Sequence, residues 1–492
     1  MSESKEKINT QIGTEEIQPT YTSSENSIED QSLPKESFIK RMGGILTCGC
    51  GFLSDGYQQG VMTMGNAILA AQFKGYNTRY KTMVSNSILV ANIIGQIFFG
   101  FTTDLIGRKQ TFTYTTVFII VGVIICACAN GSTEEKLFWM LIIGRGVLGV
   151  GIGGDYPAAA SAGIETANEK MSAKKRTAPY ILTTNFFIAT GVPIATIVFL
   201  IVHEIWGPEN LNGIWRTCFA VGGFIPLSIF YFRWKLEHAS SYKANALKKK
   251  VPYLLIWKKY WKEFVATASM WFIMDMIVYP NNIFSTSILQ VAIPNASLKK
   301  TGEWQLFLSS FSIFGVLLSC IGVQFFTRRQ VLISGYLGYA VLSFIVGGAF
   351  EKFSEIPALL IVFYALLNMV VNFGPASLQS VVSSESYPTA VRGTIYGISA
   401  AIGKAGAAVG TEVFTPLQQL HGKRYTFILS GGLSILGAIV CWWGCPDYGD
   451  KNLDFLDVEF NQYLKENGWE GTIGEDEKDK SDHKIVNIIR KL

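Results

Sequence analysis

The stretch GRGVLGVGIGGDYPAAASAGIE, residues 144–165, admits two readings that lead to different folds. A glycine run can cradle phosphate, but only where a strand precedes it and a helix follows. No strand-like pattern precedes this one, and it sits inside an apolar run of about 28 residues, enough to cross a bilayer core. The dinucleotide-loop and P-loop readings therefore fail. In lipid, small residues let helices approach closely. Gly149 and Gly153 are four apart, as are Ala158 and Ala162, so they read as packing positions. The residue that stands out is Asp155, because a carboxylate at membrane depth is costly.

The rest of the chain agrees with a membrane setting. Of 492 residues, 49% are hydrophobic and 16% charged, where a soluble protein carries about a quarter charged. Residues 1–40 and 446–492 are polar and rich in Ser, Glu, Asp and Lys, so both read as disordered tails. The net charge of +5 reports on loops and tails and gives no support to nucleic-acid binding. No basic-then-apolar leader opens the chain, and the first span is expected to serve as the insertion signal. The eight cysteines lie in or beside apolar segments. Neither CGC (48–50) nor CAC (126–128) has redox or zinc spacing, so they read as small buried hydrophobes.

Charged and Pro/Gly/Asn breaks divide the middle into twelve spans, near 42–68, 82–103, 111–130, 138–167, 178–203, 214–232, 264–291, 304–326, 330–350, 357–384, 393–420 and 425–445. The expected fold is an all-α membrane protein of twelve transmembrane helices in two six-helix halves. Its expected parts are a disordered N-terminal tail (1–40), a first half (41–232), a basic linker (233–263), a second half (264–445) and a C-terminal tail (446–492). The linker region holds nine Lys and Arg between Arg233 and Lys262, which places it and both termini in the cytosol. The sequons at Asn130 and Asn295 then fall on outer loops as candidate glycosylation sites.

An ionisable group inside a span is a functional candidate by default. Arg41 and Lys74 bracket Asp55 near their midpoint, and Lys136 and Lys170 bracket Asp155. Lys262 and Lys299 bracket Asp275, Lys352 and Arg392 bracket Asn372, and Arg392 and Lys423 bracket Lys404. Four charges and one amide from five helices thus converge on one depth. Arg145 and Lys404 are the basic residues within spans, and no His lies mid-span, so any transported proton must ride on carboxylates. No nucleophile–base set, metal cluster or cofactor motif appears, which argues against an enzyme.

Three motifs resemble the major facilitator superfamily. GFTTDLIGRK (100–109) is similar to its loop motif between the second and third helices, RGVLGVGIGG (145–154) to its fourth-helix motif, and ESYPTAVRG (385–393) to the motif after the tenth helix. In the second half, CIGVQFFTRR (320–329) is a degenerate copy, with Gln324 for the Asp and Thr327 for the Gly. GGDYP, WFIMDMIVY (271–279), NFGP (372–375) and YGISAAIGKAGA (396–407) narrow the likeness to the phosphate:proton symporter branch. Within that branch the segment around 383–416 most resembles the fungal glycerophosphodiester permeases, importers of glycerophosphoinositol and glycerophosphocholine.

The resemblance implies proton-coupled uptake at the plasma membrane by alternating access, with a small phosphodiester and protons as partners. It implies a substrate pocket of Tyr156, Trp271, Asp275, Tyr279, Asn372 and Lys404, and proton-coupling roles for Asp55 and Asp155. Gly100, Asp104, Gly107, Arg108, Lys109, Arg145, Glu385 and Arg392 take gating or bracing roles. The symporters carry a second first-helix Asp where this chain has Gln58, and larger residues where it has Ala158–Ala160. Their fifth-helix Gln has Asn185 as its nearest counterpart. These departures favour a diester, with the alanines leaving room for a head group. Two alternatives stay open, an inorganic phosphate:proton symporter and a nutrient receptor that signals without transporting.

Overall fold

The computed structural model describes residues 38–234, 251–293, 296–449, 451–469 and 471. Twelve long helices run back and forth across it: α1 (Phe38–Gln72), α2 (Thr78–Ile106), α3 (Arg108–Ala127), α4 (Glu134–Lys170), α5 (Thr177–Trp206), α6 (split into Leu211–Val221 and Phe224–Trp234), α7 (Tyr253–Ala292), α8 (Leu298–Phe325), α9 (Arg328–Gly348), α10 (Pro357–Glu385, broken at Gly374), α11 (Arg392–His421) and α12 (Arg424–Gly444). Eight of these, α2–α5, α8–α10 and α12, are long and apolar enough on their own to cross a membrane. The other four fall short for identifiable reasons. A two-glycine break divides α6, while α1, α7 and α11 carry Asp55, Asp275 and Lys404 on faces turned toward one another. Helices that line an interior cavity give up apolar residues that lipid-facing helices keep.

The first six helices pack as one bundle and the second six as another. The seam between them is made twice in the same way, by α2 against α11 and by α5 against α8. Outward-facing side chains such as Phe98, Ile143 and Trp442 are exposed apolar residues, the surface a bilayer covers. The glycine reading of 144–165 is borne out within the first bundle. A methyl placed on Gly149 would lie 2.6 Å from the Ile88 carbonyl oxygen, and one on Gly153 would lie 2.4 Å from that of Asn92. Helices α2 and α4 therefore touch backbone to backbone. Gly107 turns the chain from α2 into α3 at φ +94°, where a side chain is strained.

Two expectations need correction. The C-terminal tail is not structureless throughout, because Asp454–Glu466 forms a further helix, α13. Leu453, Leu456, Phe460 and Leu464 bury one face of it, with Phe460 and Leu464 packed beside Tyr260, Tyr387 and Ile395. Nor do Ala158–Ala160 open space for a head group. They are fully buried in the packing between helices and line no part of the central cavity.

Candidate functional site

Between the two bundles lies a cavity of about 990 Å³, part of it open to solvent. Helical spacing explains its walls. Trp271, Asp275 and Tyr279 are four apart on α7 and so share one face, as do Asp55 and Gln59 on α1. The Lys404 ammonium from α11 is buried and lies 3.4 Å from Asp275 Oδ2. It also donates to the Tyr279 hydroxyl. Its Nζ stands 4.2 Å from the centroid of the Tyr279 ring and 5.2 Å from that of Tyr156. A carboxylate and two aromatic faces thus offset the cost of burying this cation.

The first half reaches the same point. Asp55 Oδ2 accepts from the Tyr156 hydroxyl at 2.5 Å and from Gln59 Nε2 at 2.9 Å. Gln59 Nε2 also donates to the Tyr279 hydroxyl at 3.1 Å. A continuous polar line therefore runs from Asp55 through Gln59, Tyr279 and Lys404 to Asp275, crossing the seam. The Trp271 indole N–H donates to Ser383 Oγ at 2.7 Å and leaves its ring as a cavity wall. At another part of the cavity wall, Asn372 Oδ1 accepts from Asn185 at 3.0 Å. Asn185 follows from a π-helical turn in α5, Leu182–Phe186, a wide turn of the kind common at functional sites.

Of the residues singled out by sequence, Asp55, Tyr156, Trp271, Asp275, Tyr279 and Lys404 meet at this centre, with Asn372 further along the wall. Asp155 does not join them. Its Oδ1 accepts from Thr115 of α3 at 3.1 Å, and it does not line the cavity. Arg145 is buried in α4 with Nε donating to the Val84 carbonyl at 2.8 Å. Asn130 is exposed in the α3–α4 connection, and Asn295 lies outside the described residues. Gln59 was missed, being a polar residue next to the more conspicuous Gln58.

One end of the bundle is closed by two ion-pair clusters. In the first, Glu165 at the end of α4 accepts from Arg108 at 2.7 Å and from Arg392 of the other half at 3.3 Å. Asp104 lies 3.4 Å from Arg108 and caps α11 across the seam, accepting from the backbone N–H of Gly393 at 3.2 Å and Thr394 at 2.6 Å. Gly100 permits that approach, since a methyl there would lie 3.1 Å from the Gly393 carbonyl oxygen. Lys109 is half-buried beside the cluster. In the second, Glu385 pairs with Arg176 of the other half and with Arg328, both at 2.9 Å. Asp457 of α13 accepts from the Thr389 backbone N–H at 2.6 Å and hydroxyl at 2.7 Å. Sequence reading found Asp104, Arg108, Glu385 and Arg392 but missed Glu165, Arg176, Arg328 and Asp457.

Comparison with known proteins fits this geometry. The sugar (and other) transporter family model matches residues 44–460. Glycerophosphoinositol permease 1 of Candida albicans is 42% identical over 89% of this chain and 85% of its own. Glycerophosphoinositol transporter 1 of Saccharomyces cerevisiae is 39% identical over 91% and 87%. The proton:xylose symporter XylE, a major facilitator, superposes with a TM-score of 0.71 at 17% identity, covering 86% of this chain and all of that one. With two six-helix bundles around a central cavity and relatives of this kind, the chain is a multi-pass membrane transporter that belongs to the sugar (and other) transporter family of the major facilitator superfamily, in the group of fungal glycerophosphodiester permeases.

Proposed function

We propose that this carrier takes up glycerophosphodiesters across a fungal plasma membrane, driven by protons, with glycerophosphoinositol as its principal substrate. The observation that carries the reading is Lys404, a buried cation lining the cavity at the meeting point of both halves. A phosphodiester brings a single negative charge, which can replace Asp275 as partner of the ammonium. The rest of the wall suits a polyol, since Asn282, Gln305, Asn368 and Gln379 all line it and each can both donate to and accept from a hydroxyl. The tyrosine faces that would hold a choline cation are already occupied by Lys404. The names of the two fungal relatives support the same head group.

Proton coupling rests on Asp55, a buried carboxylate joined to Lys404 through Gln59 and Tyr279. Asp155 is the second proposed acid, set one helix face away from the cavity. The ion-paired end is cytosolic in this reading, as are both termini, and the structure is then a carrier closed toward the cytosol. Alternating access requires those clusters to open while the opposite end closes.

The test is uptake by cells whose own carriers have been removed. Labelled glycerophosphoinositol should accumulate in an uncoupler-sensitive way, with glycerophosphocholine and inorganic phosphate as weaker competitors. Lys404→Ala at wild-type surface level should abolish uptake. Lys404→Arg, which keeps the charge but changes its donors, should raise KM by about tenfold or more. Uptake by Lys404→Ala with near-normal KM would overturn the site. Phosphate as the preferred substrate would overturn the function in favour of a phosphate symporter, and no uptake at all would favour a receptor.

A further inference from the structure

Six arginine and lysine side chains are buried among the described residues: Arg108, Arg145, Arg176, Arg328, Arg392 and Lys404. Five of them pair with a carboxylate, with Glu165, Glu385 or Asp275. Arg145 pairs with none among the described residues. It is 2% exposed, and its Nη1 has no hydrogen-bond partner there. A guanidinium stays charged in a protein, and an uncompensated buried charge is costly.

Beside Arg145 lies a second, smaller cavity of about 360 Å³, lined by Arg145, Asn66, Ser85, Gln59, Thr63 and Tyr279 among others, and by no Asp or Glu among the described residues. Ser85 Oγ accepts from Asn66 at 3.1 Å, and its O–H can rotate to donate to a group bound there. Gln59, Thr63 and Tyr279 also line the central cavity, so the two spaces adjoin. Arg145 precedes Tyr156 by eleven positions on α4, about 16 Å along the helix, away from the ion-paired end.

We propose that Arg145 and Ser85 form a second anion subsite, which takes the phosphate group of the incoming substrate before it passes Gln59 and Tyr279 to reach Lys404. The subsite supplies what Arg145 lacks, an anion with several acceptor oxygens, and a guanidinium binds two of those in parallel. It rests on the transport reading above, with the end opposite the ion pairs facing outward.

The experiment pairs kinetics with binding. In cells, Arg145→Gln at wild-type surface level should raise KM for glycerophosphoinositol about tenfold, a loss of one charge-assisted contact, while maximal rate stays within about twofold. Arg145→Lys should recover part of the affinity. The purified full-length protein should be stabilised against heat by glycerophosphoinositol and by inorganic phosphate, and Arg145→Gln should need about tenfold more of either. An unchanged KM and unchanged titrations in Arg145→Gln would overturn the subsite, leaving Arg145 as a helix brace. Stabilisation through Arg145 by chloride alone would also overturn it. Should Arg145→Gln fail to reach the surface, Arg145→Lys and the titrations of wild-type protein with each anion decide the matter. Failure of wild-type cells to take up any diester would instead count against the transport reading, and the phosphate titration would still judge Arg145.

Discussion

Glu165 and Glu385 hold matching places in the two halves, and each clamps an arginine from its own half and one from the other. Glu165 ends α4 and meets Arg108 at the start of α3 and Arg392 at the start of α11. Glu385 ends α10 and meets Arg328 at the start of α9 and Arg176 just before α5. The clusters differ in their third member. The first has Asp104, which lies beside Arg108 and caps α11. The second has Gln324, which is exposed and makes only a long bond to the Cys320 carbonyl at 3.4 Å. The segment after α12 does the work there instead. The carbonyls of Lys451 and Tyr448 accept from Arg176 at 2.7 and 3.1 Å, and Asp447 stands 3.9 Å from Arg328. One repeat closes the seam with its own acid, and the other relies on chain that follows the repeat.

This contrast can be broken most severely at the glutamates. Glu165→Gln takes from two buried guanidiniums the carboxylate they share, while Arg108 keeps Asp104 and the Thr103 carbonyl and Arg392 keeps the Ser384 and Tyr387 carbonyls. The cost should therefore fall below the about 3–5 kcal/mol of a fully broken buried pair. Surface level should fall, and uptake per surface molecule should drop at least about tenfold. Glu385→Gln should cost about as much, because Arg176 likewise keeps two carbonyl acceptors and Arg328 keeps Asp447 at 3.9 Å. Surface labelling alongside initial uptake rates measures both, and a much larger loss at one glutamate would show that the acceptors left in its cluster add little.

A smaller effect is expected at the third member. Asp104→Asn keeps one acceptor for the α11 cap but loses the charge, worth about 0.3–1 kcal/mol at a helix N-terminus, with a further contribution from Arg108. Turnover should slow about fivefold while KM stays within about twofold. A large rise in KM would mean that this end senses substrate directly.

The least effect belongs to Gln324→Asp, which restores the acid missing from the second cluster. The site is exposed, so a new pair with Arg328 would add at most about 1 kcal/mol to the closed state. Turnover should slow about twofold. A tenfold change would show that the tail is a poor substitute for the lost acid.

How much of this was legible in the sequence depended on the kind of signal. Apolar runs and charge breaks located the helices, because a bilayer imposes length and composition on any segment that crosses it. Charges at membrane depth exposed Asp55, Asp275 and Lys404 for the same reason. Glu165 and Arg176 gave no such signal. They lie at helix ends, where charge is ordinary, and only the folded seam shows that they are buried together. Asp155 has the depth of the others but meets Thr115 of α3 and does not line the cavity, since depth says nothing about azimuth. The C-terminal helix was readable but overlooked, since Leu453, Leu456, Phe460 and Leu464 carry the 3–4 spacing of an amphipathic helix within a segment whose overall polarity suggested a tail.

The burial of both clusters decides which part of its surroundings the carrier can sense. Ions in solution screen exposed charges over about 8 Å at physiological ionic strength and reach buried pairs far less. Glu165, Arg392, Arg176 and Glu385 are all nearly inaccessible. Swings in the ionic strength of the surrounding solution therefore have little hold on this closure. What can open it is a change within the protein, such as the proposed binding of substrate at Lys404. The closure is in this respect indifferent to the salt around it.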